Sequence, residues 1–88
     1  MHFRWKQSGM RAVIYEQNGF WIGQCLDRNV MVSVEGADVP RLLTRLVMDV
    51  ELNKDIELGE VAPKFFDMWE RGVDLDVTGQ NLQVRQVA

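Results

Sequence analysis

The sequence predicts a small α+β domain: an antiparallel β-meander, two helices and a further strand in the order β-β-β-α-α-β, with an amphipathic helix packed on one sheet face. Three observations carry this expectation. Asn18-Gly19 separates two runs of β-branched and aromatic residues, Arg11 to Gln17 and Phe20 to Leu26, and a third such run spans Val30 to Glu35. Apolar residues at Val39, Leu42, Leu43, Leu46, Val47 and Val50 then recur with the spacing of one helical face. Pro63 and Gly72 bracket a second helical stretch, after which Val73, Leu75 and Val77 alternate with Asp74 and Asp76.

Asn-Gly suits a type I′ turn, because both central residues need positive φ. A two-residue turn there pairs Gln17 with Phe20, Tyr15 with Ile22, Ile14 with Gly23 and Ala12 with Cys25. Taking Arg28-Asn29 as the next tight turn sets Val32 beside Cys25 and Val34 beside Gly23. One sheet face then gathers Ala12, Ile14, Glu16, Trp21, Gly23, Cys25, Val32 and Val34, apolar except at its end. Its small central residues let a helix lie close.

The other face gathers Val13, Tyr15, Phe20, Ile22, Leu26 and Met31 with Gln24, Ser33 and Glu35. It is too apolar to face water alone and too polar for a deep core. Either a second helix of the chain covers it or a partner does, since large exposed apolar patches mark interaction sites. Val13, Tyr15, Phe20, Ile22 and Met31 are therefore the candidate partner or dimer interface.

Asp38 reads as the N-cap of the first helix, with Pro40 in its first turn. Arg41, Arg45 and Asp49 line its solvent side, which also holds Met48 and Leu52, and it should end near Asn53 or Lys54. Phe65, Phe66 and Trp69 cluster on one side of the second helix, a stripe read as core, with Met68 off its centre. Asn81 to Ala88 is either a fifth, edge strand through Leu82 and Val84 or a loose tail. Residues 1–9 and 79–88 are read as loose termini of a single domain spanning residues 1–88.

The chain has 88 residues, enough for one domain, and one this small buries only about 60 % of its unfolded surface. Association is a reasonable expectation, and a homodimer is the simplest form. A hydrophobic fraction of 47 % and a charged fraction of 26 % suit a globular protein. The single cysteine, Cys25, fits a reducing, cytoplasmic setting, and neither a secretory signal nor a membrane span is evident. The net charge of −3 argues against general nucleic-acid binding. Phe3-Arg4-Trp5-Lys6 interleaves basic and aromatic residues but is too short to make a stacking platform. Asp49 to Glu60 holds five acids against Lys54 alone, either a solvated helix end and loop or a docking surface for a basic partner.

Chemistry finds little to work with. His2 is the only histidine, which leaves no Ser-His or Cys-His pair. Cys25, mid-strand on the inward face, reads as a buried structural thiol. Neither Asp74 with Asp76 nor Asp55 with Glu57 follows a calcium-loop pattern, and there is no glycine-rich phosphate loop. We expect no catalytic residue, no metal site and no cofactor.

The stretch Val13 to Val50 resembles the N-terminal domain of the HicB family of bacterial antitoxins, a degenerate RNase H-like fold. The resemblance is carried by Val13-Ile14-Tyr15-Glu16, by Asn18-Gly19-Phe20-Trp21-Ile22-Gly23-Gln24-Cys25, by Val32-Ser33-Val34-Glu35-Gly36, and by the helix from Val39. It implies a non-catalytic, protein-binding domain that masks a small basic, toxin-like partner. Where members have a Pro-Asp-Leu-Pro-Gly-like link, this chain has Leu26-Asp27-Arg28-Asn29-Val30. Members also carry a C-terminal DNA-binding module, for which Pro63 to Ala88 is too short, so DNA binding is not expected. The alternatives are a stand-alone homo-oligomeric accessory protein and a residual nuclease. The nuclease is disfavoured because Glu16 is the only acid on the inward face, whereas two-metal chemistry needs a carboxylate cluster.

Overall fold

The Asn18-Gly19 turn sets the frame of the sheet. Asn18 has φ 55° and Gly19 φ 85°, as a type I′ turn requires, and the turn joins β1 (Met10–Gln17) to β2 (Phe20–Cys25). The two strands pair in the register the turn dictates, with Gln17 opposite Phe20, Tyr15 opposite Ile22 and Ala12 opposite Cys25. β3 (Met31–Glu35) continues the meander. The computed structural model describes residues 10–77 and 82–88.

After the meander come α1 (Val39–Leu52), α2 (Pro63–Arg71), β4 (Val73–Leu75) and β5 (Leu82–Gln86). The five strands form one sheet in the order β3-β2-β1-β5-β4. β5 pairs parallel with β1, and β4 antiparallel with β5, so the sheet is mixed. The fold class is α+β, as expected. Two expectations are corrected here: Leu82 to Gln86 is neither a loose tail nor an edge, because it lies between β1 and β4 with Leu82 and Val84 buried.

β1 is the central strand, covered on both sides. Ala12, Val13 and Ile14 are all fully buried, which explains why this stretch reads as a continuous apolar run. β3, at an edge, alternates exposed Met31, Ser33 and Glu35 with buried Val32 and Val34.

α1 begins where its sequence marks it. The Asp38 carboxylate accepts a hydrogen bond from the Arg41 backbone N–H at 3.1 Å, and Pro40 occupies the first turn. Leu42, Leu43 and Leu46 are buried against Ala12, Ile14, Cys25, Val32 and Val34. A Cβ built on Gly23 would sit 3.5 Å from Leu42 Cγ, in ordinary contact, so there is room for a methyl at this point but not for a larger side chain with α1 this close. Just past its C-terminus, the Arg28 guanidinium donates to the carbonyls of Asn53 and Ile56, tying the turn that follows α1 to the β2–β3 loop.

The link from β2 to β3 differs from expectation. It is not a two-residue turn on Arg28-Asn29: the Cys25 N–H reaches the Val30 carbonyl at 3.0 Å, and residues 26–29 loop out between them. Val32 therefore lies opposite Gly23 and Val34 opposite Trp21, two residues from the expected partners. Because side chains alternate with period two, the slip leaves every residue on its expected face.

Removing the contact over Gly23 tests this packing. Leu42→Ala should lower unfolding free energy by about 2 to 5 kcal/mol in urea titrations followed by circular dichroism. Gly23→Ala should be tolerated, since its methyl would make an ordinary van der Waals contact with Leu42. Gly23→Leu should cost about 1 to 3 kcal/mol by overpacking.

Candidate functional site

Across β1, β2 and β3, the face turned away from α1 is a grid of three rows. The register gives Gln17, Phe20 and Glu35; then Tyr15, Ile22 and Ser33; then Val13, Gln24 and Met31. α2 covers one corner of it. Phe65 packs on Val13 and Leu26, with Tyr15, Val61, Met68 and Trp69 around it, and the Tyr15 and Phe65 ring centroids stand 6.4 Å apart. At the far end of α2, the Arg85 guanidinium lies 4.2 Å from the Trp69 ring centroid, donates to the Trp69 carbonyl at 2.9 Å and pairs with Asp74 at 2.9 Å. These contacts hold α2 over β1 and β5 and leave the β2–β3 half open.

Of the five candidate interface residues, four remain accessible. Phe20 is 44 % and Met31 57 % exposed, while Tyr15 and Ile22 are half-buried between them. Val13 is fully buried under Phe65 and cannot touch a partner, a correction that follows from β1 being the central strand. Gln17, Asn18, Phe20, Ile22 and Ser33 line a shallow depression at the turn end. Both readings of this face hold in part: a helix of the chain seals the β1 side, and the rest is uncovered among the described residues.

Gln24 is buried in the last row. Its amide donates to the Cys25 carbonyl at 2.9 Å and to Asn29 Oδ1 at 3.2 Å, tying β2 to the loop that follows it. Phe66 does not join the Phe65 cluster. One residue further round α2, it lies 38 % exposed beside Leu26, Arg28 and Leu58, while Met68 takes the expected place on the cluster. The acidic stretch runs from the end of α1 into the loop before α2, and Glu51, Asp55, Glu57 and Glu60 are exposed.

Cys25 lies on the α1 face and is fully buried. Burial pushes its thiol pKa up, against smaller opposing hydrogen bonds from the backbone of Arg28 and Asp27. Burial likewise raises the Tyr15 phenol. Among the described residues, no three His, Cys, Asp or Glu side chains gather where they could hold a metal ion. His2 and the Phe3 to Lys6 stretch lie outside the described residues. No described helix is long and apolar enough to cross a membrane.

No family model, curated protein or solved structure matches the chain. The site therefore rests on its own geometry. Sequence reasoning missed the Arg85–Trp69–Asp74 cluster, because it depends on β5 lying beside β1 and β4. It also missed the grip of Arg28 on the end of α1, for which a lone arginine in a loop is the only local sign.

The raised Cys25 thiol carries a signed pH effect. Its folded pKa lies above the unfolded value, so its contribution to stability is complete below about pH 8.5 and is lost as pH rises through the folded pKa. Tyr15 acts in the same direction at higher pH. Urea midpoints should accordingly fall on the alkaline side, and Cys25→Ser should shrink the earlier part of that fall. Native Cys25 should resist iodoacetamide at neutral pH and react once the chain is unfolded.

Proposed function

We propose that the chain is a non-catalytic, HicB-like protein-binding domain that works in the cytoplasm and masks a small basic partner with the open half of its second sheet face. The observation that carries this reading is the apolar group of Phe20, Ile22 and Met31, bordered by Tyr15 and uncovered among the described residues. Aromatic and methionine side chains on an open face are typical anchors at protein interfaces.

Charge supports the choice of partner. Glu35 shares the Phe20 row, and the exposed acids of the α1–α2 loop add to a net charge of −3. A basic protein would be drawn to this surface, and its complex would form faster at low ionic strength. Against a catalytic role stand the burial and raised pKa of Cys25 and the apolar character of the face beneath α1. A reducing compartment suits the free thiol.

The test is purification of the chain from its host with bound proteins identified by mass spectrometry, followed by affinity measurement on the recombinant pair. A small basic partner is expected, bound more weakly as salt rises. Phe20→Lys should reduce its affinity by about 30-fold or more, the loss of roughly 2 kcal/mol expected for a central aromatic anchor. The new ammonium would lie opposite Glu35, so the sheet itself should remain intact. A partner whose affinity ignores Phe20→Lys and salt would contradict the assignment.

A further inference from the structure

We infer that the open strip recognises an arginine of its protein partner, whose guanidinium lies on the Phe20 ring and pairs with the Glu35 carboxylate. The inference rests on the binding role proposed above and names the side chain that this face selects.

Glu35 is the only charged side chain of the grid formed by β1, β2 and β3 on this face. It is exposed, and the ion pairs among the described residues leave it without a cation, since Arg11 pairs with Asp27, Lys54 with Glu51 and Arg85 with Asp74. An exposed aromatic ring stands directly beside it. The Cys25 N–H donates to the Val30 carbonyl and the Gly36 N–H to the Gly19 carbonyl, so hydrogen-bonded pairs of β2 with β3 fall at even-numbered residues of β3. Phe20 and Glu35 are therefore a non-hydrogen-bonded pair, the kind whose side chains stand closest, with Cα atoms ~4.5 Å apart. Ring and carboxylate make one patch that a single cation can meet.

Elsewhere in the chain the same groups satisfy a guanidinium. Asp74 and Arg85 are cross-strand neighbours in β4 and β5, and Arg85 pairs with Asp74 at 2.9 Å while its guanidinium lies 4.2 Å from the Trp69 ring centroid. There the arginine covers an aromatic ring with its face and reaches a carboxylate with its edge. Phe20 and Glu35 present a ring and a carboxylate, also from neighbouring strands, to a molecule outside the chain.

The adjoining depression favours arginine over lysine. It encloses about 320 Å³ and is bordered by Gln17, Asn18, Phe20, Ile22 and Ser33. Ile22 and Phe20 give an apolar bed for the stem of the side chain, and the amide oxygens of Gln17 and Asn18 and the Ser33 hydroxyl offer acceptors at the rim. A guanidinium is planar and has five N–H donors, enough to engage ring, carboxylate and rim together. An ammonium is a compact point charge that meets Glu35 and leaves most of the ring bare.

Titration of the isotope-labelled chain with N-acetyl-arginine methylamide, followed by nuclear magnetic resonance, tests the site directly. Saturable shifts are expected at Gln17, Phe20, Ile22 and Glu35, and N-acetyl-lysine methylamide should bind several-fold more weakly. Glu35→Gln and Phe20→Leu should each weaken arginine binding about 5-fold, with far-ultraviolet circular dichroism unchanged because both side chains are exposed. Absence of saturable shifts at these residues, equal responses to arginine and lysine, or binding indifferent to Glu35→Gln would overturn the inference. The recombinant pair separates this inference from the reading it rests on. A partner weakened by Phe20→Lys and indifferent to Glu35→Gln keeps the binding face and refutes the arginine, whereas a partner indifferent to both refutes the face itself.

Discussion

The close approach of Leu42 to Gly23 is the contact on which the rest of the structure depends. Only a residue with no side chain larger than a methyl at that point of β2 allows α1 to settle its leucines between Ala12, Ile14, Cys25, Val32 and Val34. The face so sealed is buried and apolar. Its one nucleophile, Cys25, is held protonated by the burial that makes it part of the core. Polar chemistry is displaced to the periphery, where the charges of the acidic loop and of the β1 and β3 ends face solvent.

The second face obeys a different constraint. α2 is short and makes its hold through Phe65 on Val13 and through the stacking of Arg85 on Trp69, both over the β1–β5 half. A helix of nine residues anchored there does not reach across to β3. The uncovered strip from Phe20 to Met31 follows from this geometry, and with it the reading of the chain as a binding domain. The same asymmetry leaves the β3 edge without a guard from α2.

Local features were legible in proportion to how local their causes are. Asn18-Gly19 determines its own backbone and the β1–β2 register, and Asp38 with Pro40 marks the start of α1 where it is observed. The loop after Cys25 was misjudged as a tight turn. Its width depends on Gln24 bonding to Asn29 and on Arg28 reaching the end of α1, neither visible as a turn motif. The parallel pairing of β5 with β1 joins residues some seventy positions apart, beyond the reach of any periodicity argument. From it come the burial of Leu82 and Val84 and the placing of Arg85. It also gives β1 its central position, the reason Val13 belongs to the core.

The account's central claim is that one face of the sheet is sealed by α1 and only half of the other by α2. Nuclear Overhauser contacts among assigned side chains test it most directly. We expect strong contacts from the Leu42 methyls to the Gly23 α-protons and from the Phe65 ring to the Val13 methyls, with none from the Phe65 ring to Phe20 or Met31. Contacts from Phe65 to both Phe20 and Met31, or an absence of any between Leu42 and Gly23, would contradict it.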